Sequence, residues 1–145
     1  MGYTRDLLHG LAQLLAADGV GVYRDTGVYA DTETGIVIGT VPQNPPAVVA
    51  LIPYPLTDDP TLSDSVQGLQ LRFRVDGSDP RDVTDLSDLA FNSLQGRGAV
   101  DLSPTARLLL AERRSGIPLG EDANGRPEWA DTYQLTLHRP SRHRT

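Results

Sequence analysis

The chain has 145 residues, 39% of them hydrophobic and 22% charged, with a formal net charge of −6. That is the size and composition of one globular domain, neither a disordered tail nor a membrane protein. With no cysteine and no lysine, the sequence excludes disulfides, thiolate metal sites, cysteine nucleophiles, lysine Schiff bases and the lysine of a phosphate-binding P-loop. The acid excess argues against the whole chain gripping nucleic acid, which needs a basic face. No apolar run approaches the ~20 residues that cross a bilayer, and the start MGYTRDLLHG lacks a secretory layout, so no membrane partner is expected.

The charge is uneven. Met1 to Ala106 holds fourteen acids and six arginines, whereas Arg107 to Thr145 holds five acids and seven arginines. Eight aspartates lie between Asp58 and Asp88, and the end HRPSRHRT carries Arg139, Arg142 and Arg144 with His138 and His143. An acidic middle and a basic C-terminal arm, residues 138–145, read either as solvated surface or as unlike faces that meet different neighbours.

Leu7, Leu8, Leu11, Leu14 and Leu15 form one helical stripe, which predicts a helix over Tyr3–Ala17 with Thr4 as cap and Gly19 as stop. Val20–Tyr23 is a short strand candidate, residues 24 to 35 read as loop, and Ile36–Ile38 is a brief β run. Pro42, Pro45 and Pro46 forbid regular structure up to Ala47. Ala47–Ile52 is a continuous apolar run, the mark of a strand buried on both faces, and Pro53-Tyr54-Pro55 is expected to end it. From Leu69, apolar Leu71, Phe73 and Val75 alternate with Gln70, Arg72 and Arg74, so Ser65–Val75 is a strand, with Gly68 suggesting a bulge. Asp79 as N-cap and Pro80 at the first position open a helix to Leu94 that Gly96 closes. Arg107–Arg113 is a further strand, Ser115–Gly125 a loop and Trp129–His138 a last strand, in which Tyr133, Leu135 and Leu137 alternate with Thr132, Gln134 and Thr136. The order predicts an α+β fold, a mixed α/β sandwich: a four- to five-stranded sheet with two helices packed on one face, as a single domain over 1–145.

Chemistry is scarce. Asp58, Asp59 and Asp64 put three carboxylates in seven residues, but the spacing fits no EF-hand and Asp-Asp-Pro reads more simply as a turn. His9 lies on a helix flank with only Asp6 nearby, and nothing in the spacing supplies a catalytic triad. Gly19 and Gly21 make no dinucleotide fingerprint. No catalytic, cofactor or metal residue is assigned, and an enzyme is not expected.

Four stretches carry a family resemblance: LLHGLAQLLAADGVGVYR from Leu7, AVVALIPYPLTDDPTLSDSVQGLQLRFR from Ala47, DPRDVTDLSDLAFNSLQG from Asp79, and RRSGIPLGEDANGRPEWADTYQLTLHRPSRHR from Arg113. Together, in this order, they resemble the tail terminator proteins of long-tailed actinobacterial phages (siphoviruses), also called minor capsid proteins. The resemblance implies a small α/β structural protein of the virion, made in the bacterial cytoplasm. Such a protein forms a ring, usually of six copies, on the finished tail tube at the head–tail junction. It would stop polymerisation of the major tail tube protein, dock the head–tail connector and let duplex DNA through its lumen without specific binding. It implies no cofactor and no catalytic residue. A head-completion or connector ring protein is the alternative within the virion; a small host α+β enzyme or binding domain is the alternative outside it.

A head-to-tail ring needs two unlike side faces on each subunit. The expectation is that Arg113, Arg114 and Arg126 face Asp58, Asp59 and Asp64 of a neighbour through bidentate arginine contacts, and that Arg139 and Arg142 of the basic arm join a partner contact. The loops 24–35, 53–64 and 115–127 are expected to order on assembly. Tyr54 and Trp129, at loop–strand edges, read as interface anchors or as core.

Overall fold

The computed structural model describes residues 2–144. In chain order it comprises α1 (Tyr3–Ala17), β1 (Val22–Tyr23), β2 (Thr34–Ile38), β3 (Ala47–Asp58), β4 (Asp64–Arg74), α2 (Pro80–Leu94), β5 (Val100–Ser103), β6 (Ala106–Glu121) and β7 (Pro127–His138). The strands form one sheet in the order β1-β2-β3-β4-β7-β6-β5. β1, β2 and β3 run parallel, and every other pair is antiparallel.

The α+β class holds, but the sheet has seven strands rather than four or five. The count differs because β5 was not expected and β1 and β2 are short strands at the sheet's edge; two further strands are longer than expected. β3 does not stop at Ile52: it runs through Pro53 and Pro55 to Asp58, paired with β4 along that length. β2 ends opposite Leu51, whose carbonyl accepts from Gly39 N–H. Residues 53 and 55 have the parity of Leu51, so their missing N–H groups point to an unpaired edge and break no ladder. Likewise β6 continues past Arg113 to Glu121, so the expected loop 115–127 is largely a strand and a short turn. Pro118 also lies where its strand has a neighbour on one side only. The short β5 has no periodicity long enough to show in sequence, and β1 and β2 are likewise only two and five residues long.

Both helices pack on the sheet face that presents Val49, Leu51, Leu71, Phe73, Tyr133 and Leu135, and one apolar cluster joins them. All five leucines of the α1 stripe are buried. Thr4 is not the cap: Gly2 holds that position with no side-chain bond, while Gly19 ends the helix at φ +83° as expected. Gly10 sits mid-helix because α1 crosses β5 there; a Cβ would fall 2.7 Å from the Leu102 Cβ and closer still to its carbonyl oxygen. α2 starts as read, with the Asp79 carboxylate accepting from Arg81 N–H at 3.0 Å. Gly68 marks no bulge; it keeps register opposite Tyr54, whose ring lies where a side chain would stand. The irregularity falls instead in β3, between Pro55 and Thr57.

On the other face of the sheet, the proline-rich segment 39–46 folds back over one end and buries Arg74. The alternation places Arg74 on the face opposite Leu71 and Phe73 but does not show this cover.

Candidate assembly interface

The residues expected on an interface are spread along the sheet, with Arg113 opposite Tyr133 near the middle of β7. Asp58, Asp59 and Asp64 surround the β3–β4 turn, and Asp64 pairs across β4–β7 with His138. Arg126 lies just before β7, at its other end. Twelve residues of strand separate them, roughly 40 Å at ~3.3 Å per residue.

Most of these charges have partners inside the subunit. Asp59 Oδ1 accepts from Thr61 N–H at 2.8 Å and Thr61 Oγ1 at 2.7 Å, which holds its carboxyl below the usual carboxylate range. Asp64 Oδ1 lies 3.0 Å from His138 Nδ1. Arg126 is buried; its Nε donates to Asp122 Oδ2 at 2.7 Å and its backbone N–H to Asp122 Oδ1 at 2.9 Å, closing the β6–β7 turn. Arg113 stacks 4.3 Å over the Phe91 ring and lies 3.8 Å from Asp131. Arg114 is exposed, with only a 3.9 Å approach to Glu112, and Asp58 and Arg142 are exposed as well.

The basic arm is docked as far as residue 144. Arg139 N–H donates to the Ser63 carbonyl, and its guanidinium covers the Tyr3 ring at 4.2 Å. Arg144 donates to Ser65 Oγ and to the Arg139 carbonyl, both at 2.8 Å. Of the two aromatic candidates, Trp129 packs against the core and donates from Nε1 to Asp131 at 2.8 Å, while Tyr54 is half-buried on the helix-free face against Gly68.

The interior polar centre was missed. Asp131 is fully buried beneath α2 and accepts from Ser87 Oγ at 2.5 Å as well as from Trp129. The signal was present: Asp131 shares parity with Tyr133, Leu135 and Leu137, so the β7 alternation itself places a carboxylate on the core face.

The Asp122–Arg126 clasp makes a pH prediction. Hydrogen bonds from Arg126 hold the Asp122 carboxyl down at about 2, and Arg24 with Ala30 N–H does the same for Glu33. A carboxyl depressed in the fold stabilises above its unfolded value near 4 and loses that contribution as pH falls through about 2. Carboxyl titration by NMR is expected to give midpoints near 2 for Asp122 and Glu33, and Arg126→Gln to return Asp122 toward the ordinary value.

Among the described residues, no group of three His, Asp or Glu side chains stands where it would hold a metal ion, and no helix is long and apolar enough to cross a membrane. One groove between α1 and β2 contains the chain His9 Nδ1–Tyr23 Oη–Asp25, at 2.9 and 3.4 Å. Several apolar side chains are exposed, among them Val28, Leu56, Leu62 and Leu89. Every residue of β6 from Arg113 to Glu121 is exposed, including Ile117 at 57% and Leu119 at 40%, and on β2 Ile38 is exposed at 38%.

The molecule is therefore an α+β protein in which several charged side chains are engaged within the fold and the end of β6 exposes apolar residues. The sequence profile described as "Bacteriophage tail terminator protein" matches residues 14–139, and the chain belongs to that family. Its members are structural components of the virion rather than enzymes. Among solved structures the chain is similar to one from the "Virion of native gene transfer agent (GTA) particle", with TM-score 0.67 and 15% identity over 94% of this chain and 98% of that one. At that identity the likeness concerns the fold. A search of curated protein sequences finds no match.

Proposed function

We propose that the protein caps the tail tube at the head–tail junction as a closed ring, usually of six copies. The ring stops addition of tail tube subunits, presents a surface to the head–tail connector and leaves a lumen through which duplex DNA passes. The family match over residues 14–139 carries this reading; the shared fold with a chain of a gene transfer agent virion supports it. The net charge of −6 supports passage of DNA without retention, since phosphate contacts need free basic groups, and Arg74, Arg126 and Arg144 are all engaged internally. Of the residues expected on the interface, Asp58, Asp64, Arg113, Arg114 and Arg142 are exposed and remain the charged contact candidates of this ring.

A tag at the exposed turn Ala123–Asn124, labelled with gold and imaged on virions, tests the placement. Label at a single point where the tail meets the head is the expected result. Label along the tail contradicts the cap, and label on the portal of tail-less heads favours a head-completion ring.

A further inference from the structure

The sheet has two free edges of unlike character. On β2, strand β1 pairs only as far as Ile36, so Val37 and Ile38 have no strand on their outer side. On β6, strand β5 pairs only as far as Leu108, and the segment 95–97 covers positions 111 and 113. The rest, Ser115-Gly-Ile-Pro-Leu-Gly120, is an uncharged open edge. Long apolar edges invite pairing with another chain unless charge or a covering element blocks them. Here Pro118 removes one donor, but no charge guards the six residues.

The two edges occupy the same transverse rows of the sheet. Pairing runs Ile38–Leu51–Leu71–Asp131–Gly116 along one row and Val37–Ala50–Arg72–Ala130–Ile117 along the next. Four strand spacings, roughly 19 Å at ~4.8 Å each, separate them. β2 also runs opposite to β6. A second copy set alongside in the same orientation therefore brings its β2 antiparallel to the first copy's β6, at matching height. That is the relation between neighbours in a closed head-to-tail ring, where each interface joins two different patches.

The charges agree with this arrangement. The loop 24–33 beside β2 carries Asp25, Asp31 and Glu33 against one arginine, Arg24, which Glu33 already holds at 2.8 and 2.9 Å. Asp25 lines the same groove as Ile38. Beside the β6 edge stands the exposed Arg114.

We propose that neighbouring copies join through these edges: Ser115–Gly120 of one subunit pairs with Val37 and Ile38 of the next, so that Ile117 stands beside Val37 on the helix-free face, with Arg114 and Asp25 at the rim of the seam. The proposal rests on the ring reading and names the surfaces that close it. The acidic partner of Arg114 is then the loop before β2 rather than the β3–β4 turn.

Because the chain has no cysteine, the test is clean. Val37→Cys and Ile117→Cys, which share a row and a face, are made as separate full-length variants, mixed, assembled alone or on tail tubes, and oxidised. A disulfide needs Cα atoms within ~7 Å. The expected result is a crosslinked dimer at least tenfold more abundant in the mixture than in either variant alone. A companion Ile117→Asp variant keeps its far-UV circular dichroism and loses assembly at least tenfold. Assembled protein without the mixed crosslink, or with crosslinks between two Ile117→Cys chains, overturns the interface and leaves the ring reading standing. Protein that stays monomeric both alone and on tubes overturns the ring reading and the interface together.

Discussion

Asp131→Ala is expected to unfold at a temperature lower by roughly 10 °C, a loss of about 3 kcal/mol in a domain of this size. Asp131 is fully buried and accepts from Ser87 Oγ and Trp129 Nε1. Its removal leaves a hydroxyl and an indole N–H without an acceptor, each costing about 1–3 kcal/mol when buried. Arg113 adds less, because it lies 3.8 Å away and is one-third exposed, where solvent screens the pair. Asp131→Asn separates these contributions. Its carboxamide still accepts from Trp129 and donates to Ser87 but carries no charge, so a loss of only about 1 kcal/mol is expected if hydrogen bonding dominates. Thermal denaturation of both variants decides; equal losses would show that the charge, rather than the two hydrogen bonds, ties α2 to the sheet.

Arg74→Met is expected to cost a similar amount and to act locally. The segment 42–46 contains Pro42, Pro45 and Pro46, which offer carbonyls but no N–H, so it has a surplus of acceptors. Arg74 supplies the donors: Nε reaches the Pro46 carbonyl at 2.8 Å, and Nη2 reaches those of Pro42 and Pro45 at 2.7 and 2.9 Å. Burial, and then the nearby Arg126, push its pKa down, with Asp122 and Glu128 opposing. An arginine still stays charged over the working pH range. Methionine fills the same channel without donors, and three carbonyls lose their partner. About 3 kcal/mol follows once part of the segment is allowed to reopen to water. Hydrogen exchange is expected to rise across residues 47–49 and 35–37, beneath that segment, before the helices respond. Uniform exchange across the whole chain would show that Arg74 is not a local lock.

These two centres mark where the sequence was legible and where it was not. Helices α1 and α2 were read to their last residues, because five leucines on one stripe and an Asp-Pro start are local signals. The strand cores of β4 and β7 were equally plain from alternation. The prolines at 53, 55 and 118 misled because their effect depends on which side of the strand has a neighbour, and that is fixed only by the whole sheet. Arg74, placed by alternation on the outer face, and Arg126, expected against a neighbour, turn inward because their acceptors, the carbonyls of 42–46 and the Asp122 carboxylate, lie in segments that read as loop. Asp131 was the opposite case, a carboxylate whose parity already placed it inward. For the assembly surface, local reading of charge singled out Arg114, but it passed over Ser115–Gly120, whose six uncharged residues form an edge only when β6 is seen to continue.

As proposed, the protein limits the tail tube. Deletion of its gene from the phage genome, with tail lengths measured by electron microscopy of the lysate, tests it most directly. Tails that are overlong or lack heads are expected, with normal particles restored when the intact chain is supplied in trans. Finished virions with heads joined to tails of normal length in its absence would contradict it.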